Sequence, residues 1–348
     1  MARLLLAVYA VLTAYATLYP MDGWRDAGVP AFAYLGAPWP RYVTRFDVAV
    51  NVLGYMPFGF LAVAALQPRL RGVPAFAVAT GAAIALSLCL EALQSYLPAR
   101  IASNLDVLCN LAGAAIGAVL GLRFARWPLK DGPIGRLRHR AFLPGTAVDI
   151  GLVLIALWLF TQLNPGMLLF GAGDLRSYLE VSDAQGRRPE FFILIEALVG
   201  AANLTAVGLL FSALSATRAG LRLRLIALLV VALAVKTAAF AIVMRAQDVL
   251  AWLTPGAEIG LVAGLAAALA AVALPRAAQF ALAAMLIMAA TVLVNLAPPN
   301  PYLTASFKVW QQGHFLNFNG LTRLVSALWP FAALGYLTFL AARRPLSP

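Results

Sequence analysis

Apolar and polar positions along this chain are grouped into whole segments. Ten segments are apolar over about twenty residues, the length that a helix needs to cross a bilayer. Short polar or basic connections separate them. We therefore predict ten transmembrane helices, at residues 2–20, 46–66, 74–97, 104–124, 147–170, 191–213, 224–243, 256–274, 277–297 and 322–341.

The composition agrees with this pattern. The 348 residues are 62% hydrophobic and only 11% charged, far less charge than a soluble protein of this length carries. The net charge of +12 comes mainly from basic residues in short loops, and no basic stripe interleaves with aromatic residues. The expected fold class is an all-α, polytopic integral membrane protein, with membrane lipids and no nucleic acid as partners.

Basic residues concentrate in one set of alternate loops, with six of them between 123 and 140. By the positive-inside rule, this distribution predicts that the N and C termini are both cytoplasmic. The same region divides the chain. We expect a four-helix membrane module at 1–124, a basic cytoplasmic loop at 125–146 and a six-helix membrane region at 147–348.

Three neighbouring spans carry polar side chains at similar depth. Asn51 is five residues into the second span, Glu91 is six residues before the end of the third, and Asn110 is six residues into the fourth. Each lies about 8–9 Å below the same surface. Another polar residue, three or four positions away, shares the helix face in each span: Asp47, Gln94 and Asp106. Because an ionisable group in a membrane needs a partner or water, we predict a polar pocket here.

Arg100 lies in the connection between the third and fourth spans, close above this level. Its guanidinium can pair with Glu91 or Asp106, or bind an anionic ligand. We predict that Glu91 and Asp106 are the acid/base residues if the protein is an enzyme. The predicted ligand-binding residues are Asn51, Gln94, Arg100 and Asn110.

Structural roles for the same residues stay open. Ser103 and Asp106 form a capping box, and the two asparagines can bond across helices as packing contacts. Glu91 can belong to a purely structural ion pair. Two cysteines and two histidines cannot assemble a zinc site, so we predict neither a metal nor a cofactor.

The residues of this module carry a family resemblance. The strings that carry it are Asn51-Val-Leu-Gly-Tyr-Met-Pro57-Phe-Gly59, Glu91-Ala-Leu-Gln94, Arg100, and Asp106-Val-Leu-Cys-Asn110-Leu-Ala-Gly113-Ala-Ala-Ile-Gly117. Over residues of about 45–122, the chain resembles the VanZ-like family. That family is named after a protein that gives resistance to the glycopeptide teicoplanin. The resemblance implies a multi-pass protein of the bacterial cytoplasmic (inner) membrane that acts in the cell envelope.

Three functions are compatible with these features. The leading hypothesis is recognition of an envelope lipid head group, a lipid-linked glycan or a glycopeptide-like ligand at the extracytoplasmic side. Under it, Arg100→Ala should weaken binding and Arg136→Ala should not. The alternatives are a membrane enzyme acting on a lipid-linked substrate and an ion-coupled transporter. In the second half, Glu196 and Lys236 are expected ion-pair partners, and the loop 298–321 is an expected interfacial anchor.

Overall fold

The computed structural model describes residues 1–26, 28–124, 132–176, 188–243, 248–298 and 316–342. Within these ranges the chain forms eleven α-helices and one short 3-10 helix, and no β-strand. The helices are α1 (Ala2–Leu18), η1 (Ala33–Gly36), α2 (Arg45–Leu66), α3 (Gly72–Gln94), α4 (Asn104–Phe124), α5 (Pro133–Ala141), α6 (Thr146–Thr161), α7 (Pro189–Leu214), α8 (Leu221–Val243), α9 (Pro255–Ala271), α10 (Arg276–Leu296) and α11 (Leu316–Ala342).

The described helices confirm the all-α, polytopic fold class. Seven of them, α2, α3, α4, α7, α8, α10 and α11, are long enough and apolar enough to cross a membrane. The other apolar helices, α1, α6 and α9, have 16 or 17 residues. Together they correspond to the ten spans expected from the sequence. The cytoplasmic placement of the two termini stays a prediction.

The fifth predicted span, 147–170, is wrong at its end, because α6 stops at Thr161. Pro165 has no backbone N–H, and it disfavours the helical conformation at Asn164. Residues 162–175 form a non-helical segment instead. The Gln162 Oε1 atom accepts a hydrogen bond of 3.0 Å from the Phe170 N–H. Internal hydrogen bonds of this kind are what non-helical backbone needs at membrane depth.

The chain divides into two compact units, Met1–His139 and Arg140–Pro348. The predicted modules, 1–124 and 147–348, with a loop at 125–146 between them, stay a prediction about domains. Part of that expected loop is helical in the structure, because α5 lies within it.

In the first unit, α2 packs most extensively against α4, and α3 packs against α4. Glycines on α4 make the first contact unusually close. A Cβ atom added to Gly113 would overlap the Val52 carbonyl, and one added to Gly117 would overlap the Met56 carbonyl. The glycines of α4, spaced four residues apart, therefore bring the α2 and α4 backbones into direct contact.

In the second unit, α7 is the central helix and packs against α9 and α10. Most of its 26 residues are buried, including Leu209, Leu210 and Leu214. The α6–α7 connection contributes to the same core, because Phe170 stacks on Trp158 of α6 with ring centroids 5.6 Å apart. The non-helical segment is thus part of the packed interior of this unit.

Candidate functional site

The candidate site lies in the first unit, where α2 begins, α3 ends and α4 begins. The Asn51 Nδ2 atom of α2 donates a hydrogen bond of 2.8 Å to the Asp106 Oδ1 atom of α4. This contact follows from the glycine packing, because Val52 and Gly113 hold the two helices together beside it. At the start of α4, the Asp106 N–H also donates to the Ser103 Oγ atom over 3.4 Å. The structure therefore brings two of the predicted site residues together.

Glu91 is the most deeply buried carboxyl group of this region, with 2% of its surface exposed. Its Oε2 atom accepts a hydrogen bond of 2.8 Å from the Ser103 N–H. Ser103 immediately precedes α4, so Glu91 lies at the positive end of that helix. Asp106 lies near enough to repel the charge of Glu91. The two predicted acid/base residues thus share one helix terminus.

Arg100 is near both carboxyl groups without being paired to either. Its Nη2 atom donates 3.2 Å to the Ala16 carbonyl of α1, and its buried Nε has no partner. Within the described part of the chain, no ion pair joins Arg100 to Glu91 or Asp106. Burial lowers the pKa of Arg100 from its usual value, and the charges of Glu91 and Asp106 oppose this shift.

Gln94 and Arg100 both contact the end of α1. The Gln94 Nε2 atom donates 2.8 Å to the Thr17 carbonyl, and Arg100 contacts Ala16 next to it. These are carbonyls of the last turn of α1, which have no partner within the helix. Each side chain thus has a structural contact, and their predicted roles in ligand binding stay predictions.

Asp47 lies at the edge of this arrangement, near enough to repel the charge of Asp106. It is exposed, and its side chain accepts a hydrogen bond of 2.6 Å from the Thr44 hydroxyl. Its own N–H donates back to the Thr44 Oγ1 atom over 3.0 Å. Thr44 is therefore the N-cap of α2, and Asp47 is its partner in the first turn of the helix.

A second layer of polar groups lies one helical turn deeper. Tyr55, Ser87 and Asn110 are each four residues from Asn51, Glu91 and Asp106 along α2, α3 and α4. The Asn110 Nδ2 atom donates 2.9 Å to Ser87 Oγ. The Asn110 Oδ1 atom and the Tyr55 hydroxyl are buried without a partner in the described structure.

Sequence analysis identified Asn110 but missed Tyr55 and Ser87. The same spacing of four residues from Asn51 and Glu91 would have indicated them, because such positions share a helix face. We refer to Asn51, Tyr55, Ser87, Glu91, Arg100, Asp106 and Asn110 as the polar cluster. Among the described residues, no group of three or more His, Cys, Asp or Glu side chains is placed to hold a metal ion.

Tyr34 is a further residue that the sequence did not indicate. It belongs to η1, in the connection between α1 and α2, and its hydroxyl donates 3.2 Å to the Leu88 carbonyl of α3. It is buried, and it lies within electrostatic reach of Glu91. Burial raises the pKa of the Tyr34 hydroxyl. The carbonyl of Ala37, just after η1, accepts 2.7 Å from the Asn104 side chain at the start of α4. This connection therefore covers one side of the polar cluster.

Every residue of the polar cluster lies within a part of the chain that matches a known protein family. Residues 6–125 match the VanZ/LLP1 family. The match confirms the VanZ-like resemblance over 45–122 and extends it to include α1. Comparison with curated proteins and with solved structures gave no match. The first unit is therefore VanZ-like, and the chain is a multi-pass membrane protein.

The region that follows the VanZ-like segment contains its own buried charges. Lys236 of α8 donates to the carbonyls of Asn164 at 2.8 Å and Met167 at 2.7 Å. Glu196 of α7 interacts with it electrostatically, yet no ion pair joins the two side chains in the described structure. The expected pair is thus a longer-range interaction. Most of the predicted interfacial loop 298–321, including His314, lies outside the described residues.

Proposed function

We propose that the VanZ-like unit binds the polar head group of an envelope ligand: a lipid, a lipid-linked glycan or a glycopeptide-like molecule. The site is the polar cluster, on the extracytoplasmic side of the bacterial cytoplasmic membrane. One observation carries this proposal. Arg100 lies beside two carboxyl groups, pairs with neither, and keeps a buried Nε atom without a partner.

This arrangement is costly in the absence of a ligand. A structural ion pair inside a protein gains its stability from direct contact between the charges. Buried polar atoms in native structures almost always have a hydrogen-bond partner, which can be water or a ligand. Asn110 and Tyr55 leave further buried polar atoms unpartnered nearby. The polar cluster therefore has the capacity to bind several polar atoms of one molecule.

The location suits the head group of a lipid. Glu91 lies three residues from the end of α3, and Asp106 lies two residues from the start of α4. Both are within about 5 Å of the helix ends along the axis. The head-group region of a bilayer lies at this level, just beyond the hydrocarbon core. A lipid can thus keep its tail in the bilayer while its head group contacts Arg100.

The test is lipid binding to the purified full-length protein in nanodiscs, with polyprenyl phosphate and a lipid-linked glycan as probes. We expect Arg100→Ala to weaken binding at least about tenfold, because one charge-assisted hydrogen bond is worth about 1.5–3 kcal/mol. Arg123→Ala is the matched control. Arg123 is exposed in the last turn of α4, about 25 Å along the helix from Asp106.

Equal losses for the two variants would contradict the proposal, as would the absence of binding to any probe. Melting temperatures of both variants separate loss of binding from loss of structure. Conversion of a probe by wild-type protein, and not by Glu91→Gln, would instead identify a membrane enzyme that uses its carboxyl groups as acid and base.

A further inference from the structure

We propose that the polar cluster selects a head group rich in hydroxyl groups, such as a sugar, over a bare phosphate. This inference rests on the proposed function and narrows its ligand class. It follows from the charges and the unused hydrogen-bonding atoms of the cluster.

The charges of the polar cluster are unequal. It contains two carboxyl groups, Glu91 and Asp106, and one guanidinium, Arg100. The two carboxyl groups repel each other electrostatically. A phosphate would bring at least one more negative charge into this partly buried space, where like charges repel more strongly than in water. Neutral hydroxyl groups carry no such penalty.

The unused atoms of the polar cluster are mainly hydrogen-bond acceptors. In the described structure, Glu91 uses one carboxyl oxygen for the Ser103 N–H, and Asp106 uses one for the Asn51 amide. The other oxygen of each carboxyl group has no hydrogen bond in the described structure, and it accepts from a hydroxyl donor when the group is ionised. The Asn110 Oδ1 atom is a further buried acceptor without a partner. A phosphate monoester offers one donor at most, whereas every sugar hydroxyl offers one.

Donors for the same ligand are present as well. The Arg100 Nε atom is buried and unpartnered in the described structure, and the Tyr55 hydroxyl has no close hydrogen bond, although it lies beside Ser87. A hydroxyl group donates one hydrogen bond and accepts two. It can therefore donate to a carboxyl oxygen and accept from Arg100 at the same time, whereas a phosphate oxygen without a proton can only accept.

The experiment measures binding of three lipids with identical acyl chains to the full-length protein in nanodiscs. They are hexosyl-diacylglycerol, phosphatidic acid and, as the blank, diacylglycerol. We expect the hexosyl lipid to bind at least about tenfold more tightly than phosphatidic acid, since each unmatched buried polar group costs about 1–3 kcal/mol. The blank should not compete.

The variant Glu91→Gln gives opposite expectations for the two head groups. It replaces an acceptor-only group by an amide and removes one negative charge, with little change in size. We expect about tenfold weaker binding of the hexosyl lipid and tighter binding of phosphatidic acid. The matched control is Glu190→Gln, at an exposed position at the start of α7, which should change neither affinity. If Glu91→Gln does not fold, Tyr55→Phe serves as the second variant, because it removes only a hydroxyl group. It should weaken binding of the hexosyl lipid and leave binding of phosphatidic acid unchanged.

The outcomes separate the inference from the proposed function. Tight, Arg100-dependent binding of phosphatidic acid with weak binding of the hexosyl lipid would overturn the inference and leave the proposed function standing. Binding of neither lipid above the blank, together with no effect of Arg100→Ala on any probe, would overturn both. A hexosyl preference that Glu91→Gln leaves unchanged would also contradict the inference.

Discussion

At the scale of single residues, a buried cation organises the second unit. Lys236 is 1% exposed, and its ammonium group donates to the Asn164 and Met167 carbonyls of the non-helical segment after α6. Asn164 extends this network, because its side chain donates 3.1 Å to Asn319 Oδ1 and 2.9 Å to the Thr322 hydroxyl. Glu196 balances the charge from α7. One lysine thus links α8 to the segment that ends α6 and, through Asn164, to α11.

We expect Lys236→Met to destabilise the protein by about 2–6 kcal/mol, because it leaves the buried carbonyls of Asn164 and Met167 without a donor, at about 1–3 kcal/mol each. The measurement is the free energy of unfolding in detergent. The double variant Lys236→Met with Glu196→Gln should lose less than Lys236→Met alone, since it removes both charges. Arg222→Met, at an exposed position on the same helix, should change stability by less than about 0.5 kcal/mol. A loss for Arg222→Met equal to that for Lys236→Met would contradict this account.

At the scale of helices, the contact between α2 and α4 sets the geometry of the polar cluster. Gly113 and Gly117 of α4 and Gly59 of α2 lie against backbone of the partner helix, where a Cβ atom has no room. Asn51 and Asp106 lie on the same two helices and bond at 2.8 Å. Any increase in the distance between the helices would therefore also break this hydrogen bond.

We expect Gly117→Ala to destabilise the protein by about 1–3 kcal/mol, the usual cost of overpacking, and to weaken ligand binding as well. Gly81→Ala is the matched control on α3, where an added Cβ meets no atom within 4 Å. Alanine has the higher helix propensity, so that variant should be neutral or stabilising by up to about 1 kcal/mol. Thermal unfolding of the two variants in the same detergent gives the comparison. A similar loss for both would contradict this account, because an added Cβ meets a neighbouring backbone at Gly117 and no atom within 4 Å at Gly81.

At the scale of the whole molecule, the chain consists of two compact units. The VanZ-like unit contains the polar cluster and the close glycine contact, while the second unit has its own core around α7 and its own buried charges. The basic residues between 123 and 140 fall at the boundary between the units. Their number is the main argument for the orientation of the chain in the membrane.

We expect both termini to be cytoplasmic, as ten spans and the basic loops require. Fusion of a reporter that is active only in the cytoplasm should give signal at the C-terminus and within 125–146. The same reporter inserted in the connection between α3 and α4 should be silent, because we expect that connection, next to the polar cluster, to lie on the extracytoplasmic side. Signal at the α3–α4 connection would reverse the orientation and place the polar cluster at the cytoplasmic face.

Much of the fold could be predicted from the sequence, because membrane helices are specified locally. In a bilayer, a run of about twenty apolar residues has to make its backbone hydrogen bonds internally. A run of this length therefore forms a membrane-spanning helix. The exception is α6, where the apolar run continued to residue 170 while the helix stopped at Thr161. Hydrophobicity alone could not show this, since the backbone of the non-helical segment is satisfied by side chains, those of Gln162 within the segment and Lys236 on α8.

The sequence predicted several residues of the candidate site, but it did not predict the contacts between them. Helical spacing and depth indicated that Asn51, Glu91 and Asp106 would lie at one level. Spacing could not show that Asn51 bonds Asp106, that Ser103 bonds Glu91, or that Arg100 contacts α1. The sequence could not indicate Tyr34 either. Helical spacing predicts which residues share a face of one helix, but it does not predict which residue of a connection contacts α3.

The sequence by itself thus determined the membrane fold, the VanZ-like segment and the polar residues available at one depth. These depend on hydrophobic length and on spacing along single helices, which are local properties. Only the tertiary structure decided which polar atoms are satisfied and which remain open. That choice depends on side chains brought together from α1 to α4 and from η1, and on the glycine contact that fixes the distance between α2 and α4.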